Sequence, residues 1–314
     1  MLELLLKFCL GVIFLLLSTQ AFVKLAKNIS LAFRISPLIV GITIVAMGTS
    51  LPELSVSLIA LVKNDIGLAM GNIVGSNIVN VLMVLPAGIV IGKLRIGTTK
   101  TQRNALLLLG VTGVFVFLQF TAFPPLLSGL FLLTSALIVT VLEYQWAILG
   151  RGHEDAVMFN NHKKGRVTFG GFVSLLFSLA GIIIGGVLLV SSVEGISIVT
   201  GYSTTVLGLS LTAIVTSLPE LLTTIFSQED DQEKITVGNI IGSNIYNLLI
   251  IGGLVTIFSP IIIIPVKDWV WLMATAIGFV FVLRLYSGKV VPKRVGVFLL
   301  VLLLIYLFTL KFRL

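Results

Sequence analysis

Residues 41–80, GITIVAMGTSLPELSVSLIALVKNDIGLAMGNIVGSNIVN, recur without a gap as residues 208–247, GLSLTAIVTSLPELLTTIFSQEDDQEKITVGNIIGSNIYN. The offset is 167 throughout, and the identities gather in TSLPEL and in GN-I-GSNI-N. Self-similarity on this scale makes two copies of one structural unit the first constraint on any fold. How the copies are related depends on what surrounds them. The chain is 57% hydrophobic and 11% charged, with mean hydropathy +1.14. Soluble domains carry about a quarter charged residues, so this is a polytopic membrane protein.

A crossing helix needs about 20 apolar residues. The charged breaks leave about ten such blocks, at 4–23, 36–61, 66–92, 104–120, 123–144, 169–191, 198–227, 235–257, 266–283 and 295–310. Each copy then holds about five spans, with the shared segments on its second and third. Five is odd, so the second copy enters the bilayer from the opposite side and the repeats are inverted. The predicted fold is an all-α membrane protein of about ten transmembrane helices in two inverted-topology five-helix repeats. Residues 1–144 form the first repeat, 145–168 a cytoplasmic linker loop, and 169–314 the second repeat. Lys7, the apolar run and LSTQA also mimic a cleaved leader, but the counterpart of this block at 169–191 reads it as a helix.

Orientation follows from the basic residues, which collect in cytoplasmic loops. With both termini outside, the inner loops carry Lys24, Lys27, Arg34, Lys93, Arg95, Lys100, Arg103, Arg151, Lys163, Lys164, Arg166, Lys234, Arg284, Lys289, Lys293 and Arg294. The outer side has only Lys7, Lys63, Lys267, Lys311 and Arg313. The net charge of +8 is thereby explained by membrane topology and calls for no nucleic acid.

Pro52 and Pro219 lie inside these spans. Proline has no amide hydrogen and disrupts the preceding turn, so the carbonyls near Gly48, Thr49, Val215 and Thr216 lose helical partners. Loosened backbone at membrane depth is tolerated where it lines a cavity or is buried in protein. Side chains three and four apart share a helix face, which groups Thr49, Ser50 and Glu53, and likewise Thr216, Ser217 and Glu220. On the next spans Ser76 with Asn80, and Ser243 with Asn247, are spaced the same way. Every group offers oxygen, which suits hard cations such as Na⁺, Ca²⁺ or Mg²⁺. Cys9 is the single cysteine, and His153 and His162 fall in the polar stretch 150–168, so soft-metal chemistry is excluded. Glu53 and Glu220 are the acids farthest from the ends of their spans. A mid-bilayer carboxylate costs on the order of 3 kcal/mol, and two without a basic partner require a cation or a proton.

Other features read more plainly. Gly71 with Gly75, and Gly238 with Gly242, are small-residue spacings that usually mean close helix packing. Asn72, Asn77, Asn239 and Asn244 read as hydrogen bonds between helices, and Asp65 and the run Glu229, Asp230, Asp231, Glu233 as solvated helix ends.

The blocks GTSLPEL…GNIVGSN and VTSLPEL…GNIIGSN resemble the two α-repeats of the cation/Ca²⁺ exchanger superfamily, and the chain looks most like a prokaryotic Na⁺/Ca²⁺ exchanger. The resemblance implies Ca²⁺ bound between Glu53 and Glu220. It implies Na⁺ sites sharing these with Thr49, Ser50, Thr216, Ser217 and backbone at Ala46 and Ala213, and contributions from Ser76, Asn80, Ser243 and Asn247. It also implies sliding of the first and sixth helices, rich in Gly11, Gly181, Gly185 and Gly186, over a static core.

Two departures bear on the site. Val215 stands where the first copy has Gly48, so the seventh helix is expected to unwind less easily than the second. Asn247 stands where some members have Asp, leaving two ionisable groups and an open stoichiometry.

The expected function is secondary active antiport of Na⁺ against Ca²⁺ by alternating access, electrogenic, across a prokaryotic inner membrane. A Ca²⁺/H⁺ antiporter shares the fold and the acids; a channel fits broken inverted repeats less well. An enzyme is not expected, because no His or Cys is placed at depth with a nucleophile. The expected partners are Ca²⁺ and Na⁺, H⁺ as the competing ion, and membrane lipid, with no cofactor.

Overall fold

The computed structural model describes residues 1–32, 46–92, 94, 99–121, 123–149, 169–229, 233–258 and 264–311. His153, His162, Arg34, Lys93, Arg95, Arg151, Lys163, Lys164, Arg166, Asp230, Asp231, Arg313, the opening of the second span and most of the linker lie outside the described residues. Among the described residues every extended element is helical: α1 (Leu2–Ala32), α2 (Ala46–Thr49), α3 (Leu51–Val62), α4 (Ile66–Val79), α5 (Leu85–Ile91), α6 (Thr99–Phe120), α7 (Pro125–Leu149), α8 (Phe169–Thr200), α9 (Thr204–Leu207), α10 (Ala213–Thr216), α11 (Leu218–Glu229), α12 (Glu233–Tyr246), α13 (Gly252–Phe258), α14 (Val266–Leu285) and α15 (Lys293–Lys311). Three π-helical turns, Asn80–Val84, Gly208–Thr212 and Asn247–Ile251, join α4 to α5, α9 to α10 and α12 to α13. Nine described segments are long and apolar enough to cross a bilayer, and α3 is the described half of the tenth.

The helix pairings are those of two interlocked copies. The first span packs on the sixth (α1 on α8) and the fourth on the ninth (α6 on α14), each pair being its own mate under repeat exchange. The remaining contacts come in exchanged couples. The third span packs on the seventh (α4 on α9 and α10) and the eighth on the second (α12 on α2), while α7 packs on α13 and α15 on α5. Gly129 and Gly296, one repeat offset apart, show this at residue level. A Cβ on Gly129 would lie 3.0 Å from Ile257 N, and one on Gly296 would lie 2.8 Å from Val90 Cγ2; Val90 and Ile257 stand at that same offset. With five spans per copy this exchange axis lies in the membrane plane, so the fold is two inverted five-helix repeats.

Burial places the functional centre. In the segment Ile66–Ile91, 83% of the hydrophobic window is buried, and in Thr236–Phe258, 78%, against 17% for Leu2–Phe22. The third and eighth spans are therefore the axis of the bundle, and the outer spans turn apolar faces to lipid.

The sixth span is longer than its sequence suggests. Ser191, Ser192 and Glu194 look like the end of a span, yet α8 continues to Thr200. The hydroxyls of Ser191 and Ser192 donate back to Leu188 O at 3.1 and 2.6 Å, so these polar groups are satisfied within the helix. The chain turns only at Gly201, with φ 77°, a left-handed conformation that glycine adopts without penalty. Glu194 is thus a helix residue, and its carboxylate meets Lys63 Nζ at 2.6 Å.

Tyr306 is buried on α15 and donates its hydroxyl to Leu209 O, within the second π-helical turn, at 3.0 Å. Tyr306→Phe is expected to destabilise the protein by about 1 kcal/mol, read as a lower thermal midpoint in detergent.

Candidate cation site

Helix breakage comes first, because it aims everything else. The second span breaks between α2 and α3 at Ser50 (φ −86°, ψ 8°), and the seventh between α10 and α11 at Ser217 (φ −81°, ψ 6°). The two breaks share nearly the same backbone angles although Val215 stands where the first copy has Gly48. The missing N–H of Pro52 and Pro219 sets the break, and residue 48 or 215 only precedes it. Gly48 O and Val215 O are the carbonyls deprived of their α-helical donor. Ala213 O, by contrast, accepts Ser217 N at 3.1 Å, with Thr216 Oγ1 3.4 Å away. Ala46 opens α2, and its side chain lies outside the described residues.

The breaks point Glu53 and Glu220 into the bundle, where both are fully buried together with Ser50, Ser76, Asn80, Ser217, Ser243 and Asn247. Thr49 and Thr216 are 3% and 1% exposed. The bonds among these groups cross from one repeat to the other and come in symmetric couples. Ser50 Oγ donates to Glu220 Oε1 at 3.3 Å, and Ser217 Oγ to Glu53 Oε1 at 3.4 Å. Thr49 Oγ1 lies 3.3 Å from Ser243 Oγ, and Thr216 Oγ1 lies 3.2 Å from Ser76 Oγ. Thr49 donates to Asn239 Oδ1 and Thr216 to Asn72 Oδ1, each at 3.2 Å. Two glutamates remote in sequence are thus held in one constellation, each by a serine of the other copy.

The third and eighth spans bring Asn80 and Asn247, each opening a π-helical turn. Such turns inside α-helices are frequent at functional sites. Here the copies part: Asn80 Nδ2 donates to Asn244 Oδ1 at 2.9 Å, whereas both amide atoms of Asn247 are buried without a partner. Glu53 Oε2, Glu220 Oε2, Asn77 Oδ1 and Asn80 Oδ1 are likewise buried and unpartnered. A buried polar atom left unpaired is costly, and here all but one of these atoms are oxygens. That is the donor set of a hard cation. Among the described residues no group of three or more His, Cys, Asp and Glu could hold a metal, so any ion here would rest on two carboxylates and neutral oxygens.

The sequence missed Asp268, which is fully buried. It sits in the first turn of α14, where the helix dipole favours an acid.

The pattern of this chain matches the sodium/calcium exchanger protein family over residues 3–144 and 170–312. The chain belongs to that family. Among its relatives, the inner membrane protein YrbG of Escherichia coli is 31% identical over 297 residues, covering 92% of this chain and 91% of YrbG. The sodium/calcium exchanger MaX1 of Methanosarcina acetivorans is 28% identical over 334 residues, 95% of each. Among solved structures, the sodium–calcium exchanger NCX_Mj soaked with Na⁺ and Sr²⁺ superposes with TM-score 0.66 at 25% identity, over 97% of each chain. As an exchanger of this family the protein is a multi-pass membrane transporter of cations including Ca²⁺, and not an enzyme.

Proposed function

We propose that the protein exchanges Na⁺ for Ca²⁺ by alternating access, electrogenically, with Glu53 and Glu220 as the shared anionic ligands. The observation that carries this reading is the couple of buried carboxylates, each hydrogen-bonded to the other repeat through Oε1 while Oε2 has no protein partner. Thr49, Ser50, Ser76, Thr216, Ser217, Ser243, Asn80, Asn247 and the backbone at Ala46 and Ala213 complete the oxygen set. The relatives named as sodium/calcium exchangers support the choice of ions.

Charge balance explains why such a site exchanges and does not leak. Two carboxylates in low dielectric are tolerated when one Ca²⁺ or at least two Na⁺ cancel them, while the empty dianion is strongly disfavoured. The empty carrier therefore reorients poorly, and net transport needs an ion on each half-cycle. With three Na⁺ opposing one Ca²⁺, each cycle moves one charge, worth about 2.3 kcal/mol per 100 mV. The moving part is the α1–α8 pair. A Cβ on Gly185 would lie 2.8 Å from Leu15 N, and one on Gly11 would lie 2.9 Å from Leu189 N, so these helices meet backbone to backbone, as a sliding contact requires.

Residues 1–144 and 169–314 are the two repeats and 145–168 their cytoplasmic linker, with both termini outside. The basic loops support that orientation, and YrbG, an inner membrane protein, supports placement in a prokaryotic inner membrane. The test is ⁴⁵Ca²⁺ uptake into proteoliposomes with and without an outward Na⁺ gradient. Uptake should follow the Na⁺ gradient and respond to membrane potential. Uptake driven by a pH step without Na⁺ would make the protein a Ca²⁺/H⁺ antiporter and overturn the coupling.

A further inference from the structure

A hydroxyl that binds a cation must keep its single proton out of the ion's way. Each Ser or Thr oxygen has one proton to donate and two lone pairs, so a cluster of hydroxyls suits a cation when every proton is directed at a fixed acceptor. Ser50 and Ser217 direct theirs at the carboxylates. Between Ser76 Oγ and Thr216 Oγ1, 3.2 Å apart, either atom could be the donor, and the contact alone does not choose.

Asn72 makes the choice. It stands four residues before Ser76 on α4, on the same helix face, and both side chains reach the Thr216 hydroxyl of the other repeat. Thr216 Oγ1 lies 3.2 Å from Asn72 Oδ1. An amide oxygen accepts and cannot donate, so the Thr216 proton goes to Asn72, and Ser76 then gives its own proton to Thr216. Which end of the amide faces Thr216 is fixed in turn. Asn72 Nδ2 lies 3.3 Å from Glu53 O, a pure acceptor, and 3.0 Å from Ser57 Oγ, whose own proton is donated to Ala69 O at 3.4 Å. Turning the amide over would set its oxygen against the Glu53 carbonyl and leave both buried and unpaired, which is costly. Ser57, Asn72, Ser76 and Thr216 are all buried.

We infer that Asn72 is a positioning residue for cation binding: by taking the Thr216 proton it sets the direction of the chain from Ser76 through Thr216 to Asn72, so that Ser76 and Thr216 present lone pairs to the ion. Without it Thr216 turns its proton to Ala213 O, 3.4 Å away, taking up a carbonyl of the candidate oxygen set, or points it at the ion. Asn239 is the same device in the second copy, where Thr49 donates to its Oδ1 at 3.2 Å and lies 3.3 Å from Ser243 Oγ. Asn239 Nδ2 has no partner, so the amide is held at both ends in the first copy, and the test is made there. The inference deepens the reading of this constellation as the cation site and rests on it.

The test is Ca²⁺ binding to the full-length protein in Na⁺-free detergent solution, measured by titration calorimetry as a double-mutant cycle. Asn72→Leu removes the acceptor and should weaken Ca²⁺ affinity by about ten- to a hundredfold, the usual loss when a group that orients a metal ligand is removed. Thr216→Val should also weaken it, and the double variant should bind no more than about twofold more weakly than Thr216→Val alone, because Asn72 acts through that hydroxyl. Ser57→Ala, which leaves Asn72 its bond to Glu53 O, is the milder variant and decides the matter where Asn72→Leu does not fold. It should weaken affinity by about two- to fivefold with Thr216 in place and have no effect beside Thr216→Val. Full affinity in Asn72→Leu, or losses from Asn72→Leu or Ser57→Ala that persist undiminished beside Thr216→Val, would overturn the inference. If those losses persist while Glu53→Gln still weakens binding, the carboxylate site stands and the positioning role falls. An unsubstituted protein that binds no Ca²⁺ would overturn both.

Discussion

Glu220→Gln is expected to lower Ca²⁺ affinity by roughly two to four orders of magnitude, and Glu53→Gln by a similar factor. Removing one member of a buried charge constellation costs about 3–5 kcal/mol, and each 1.4 kcal/mol is about tenfold in affinity. Glutamine keeps an Oε1 that can accept the bond from Ser50 or Ser217, so what is lost is charge and not scaffolding. The two substitutions should therefore act alike, as repeat symmetry demands. A second readout separates ion binding from folding. With one carboxylate gone the ion-free protein loses a buried repulsion and should melt no lower than the unsubstituted protein, while the rise in thermal midpoint on adding Ca²⁺ should vanish. Retention of full Ca²⁺ affinity in both variants would remove the site from these residues.

Gly185→Leu should stop exchange, with uptake reduced by about tenfold or more. A Cβ at this position lies 2.8 Å from Leu15 N and 2.9 Å from Gly11 O, and both are backbone atoms that cannot rotate away. The helices must separate, at a cost of about 1–3 kcal/mol for overpacking, and the smooth contact between α1 and α8 is lost. Gly170→Ala, on the same helix with nothing within 4 Å, is the matched control and should transport normally. Equal uptake by Gly185→Leu and Gly170→Ala would show that the α1–α8 contact does not move.

The candidate site was legible in the sequence to an unusual degree, because the repeat wrote it twice. Thr49, Ser50 and Glu53 share a face by helical spacing alone, and their recurrence as Thr216, Ser217 and Glu220 marks them as a set. The breaks at Ser50 and Ser217 were also foreseeable, since the lack of an amide hydrogen in proline is a local property. Where local reasoning failed, it failed on partners. Ser191 and Ser192 looked like the end of a span, but their hydroxyls are satisfied by the preceding turn and the helix runs on. Asp268 drew no attention because its burial depends on packing from other helices.

By itself the sequence determined the membrane class and the two inverted copies, and it proposed the oxygen-bearing side chains of the candidate site, because hydropathy, parity of spans and helical spacing are all properties of contiguous residues; the backbone at Ala46 and Ala213 was implied by the family resemblance alone. Only the tertiary structure decided that each glutamate is held by a serine of the opposite repeat, that Asn80 is paired while Asn247 is not, and that Asn72 Nδ2 is bonded while Asn239 Nδ2 is not. These are contacts between residues far apart in the chain, such as Ser50 with Glu220 at a separation of 170. Two copies with matching side chains carry no local signal saying which of them is bonded; that is set by how the spans lie against one another.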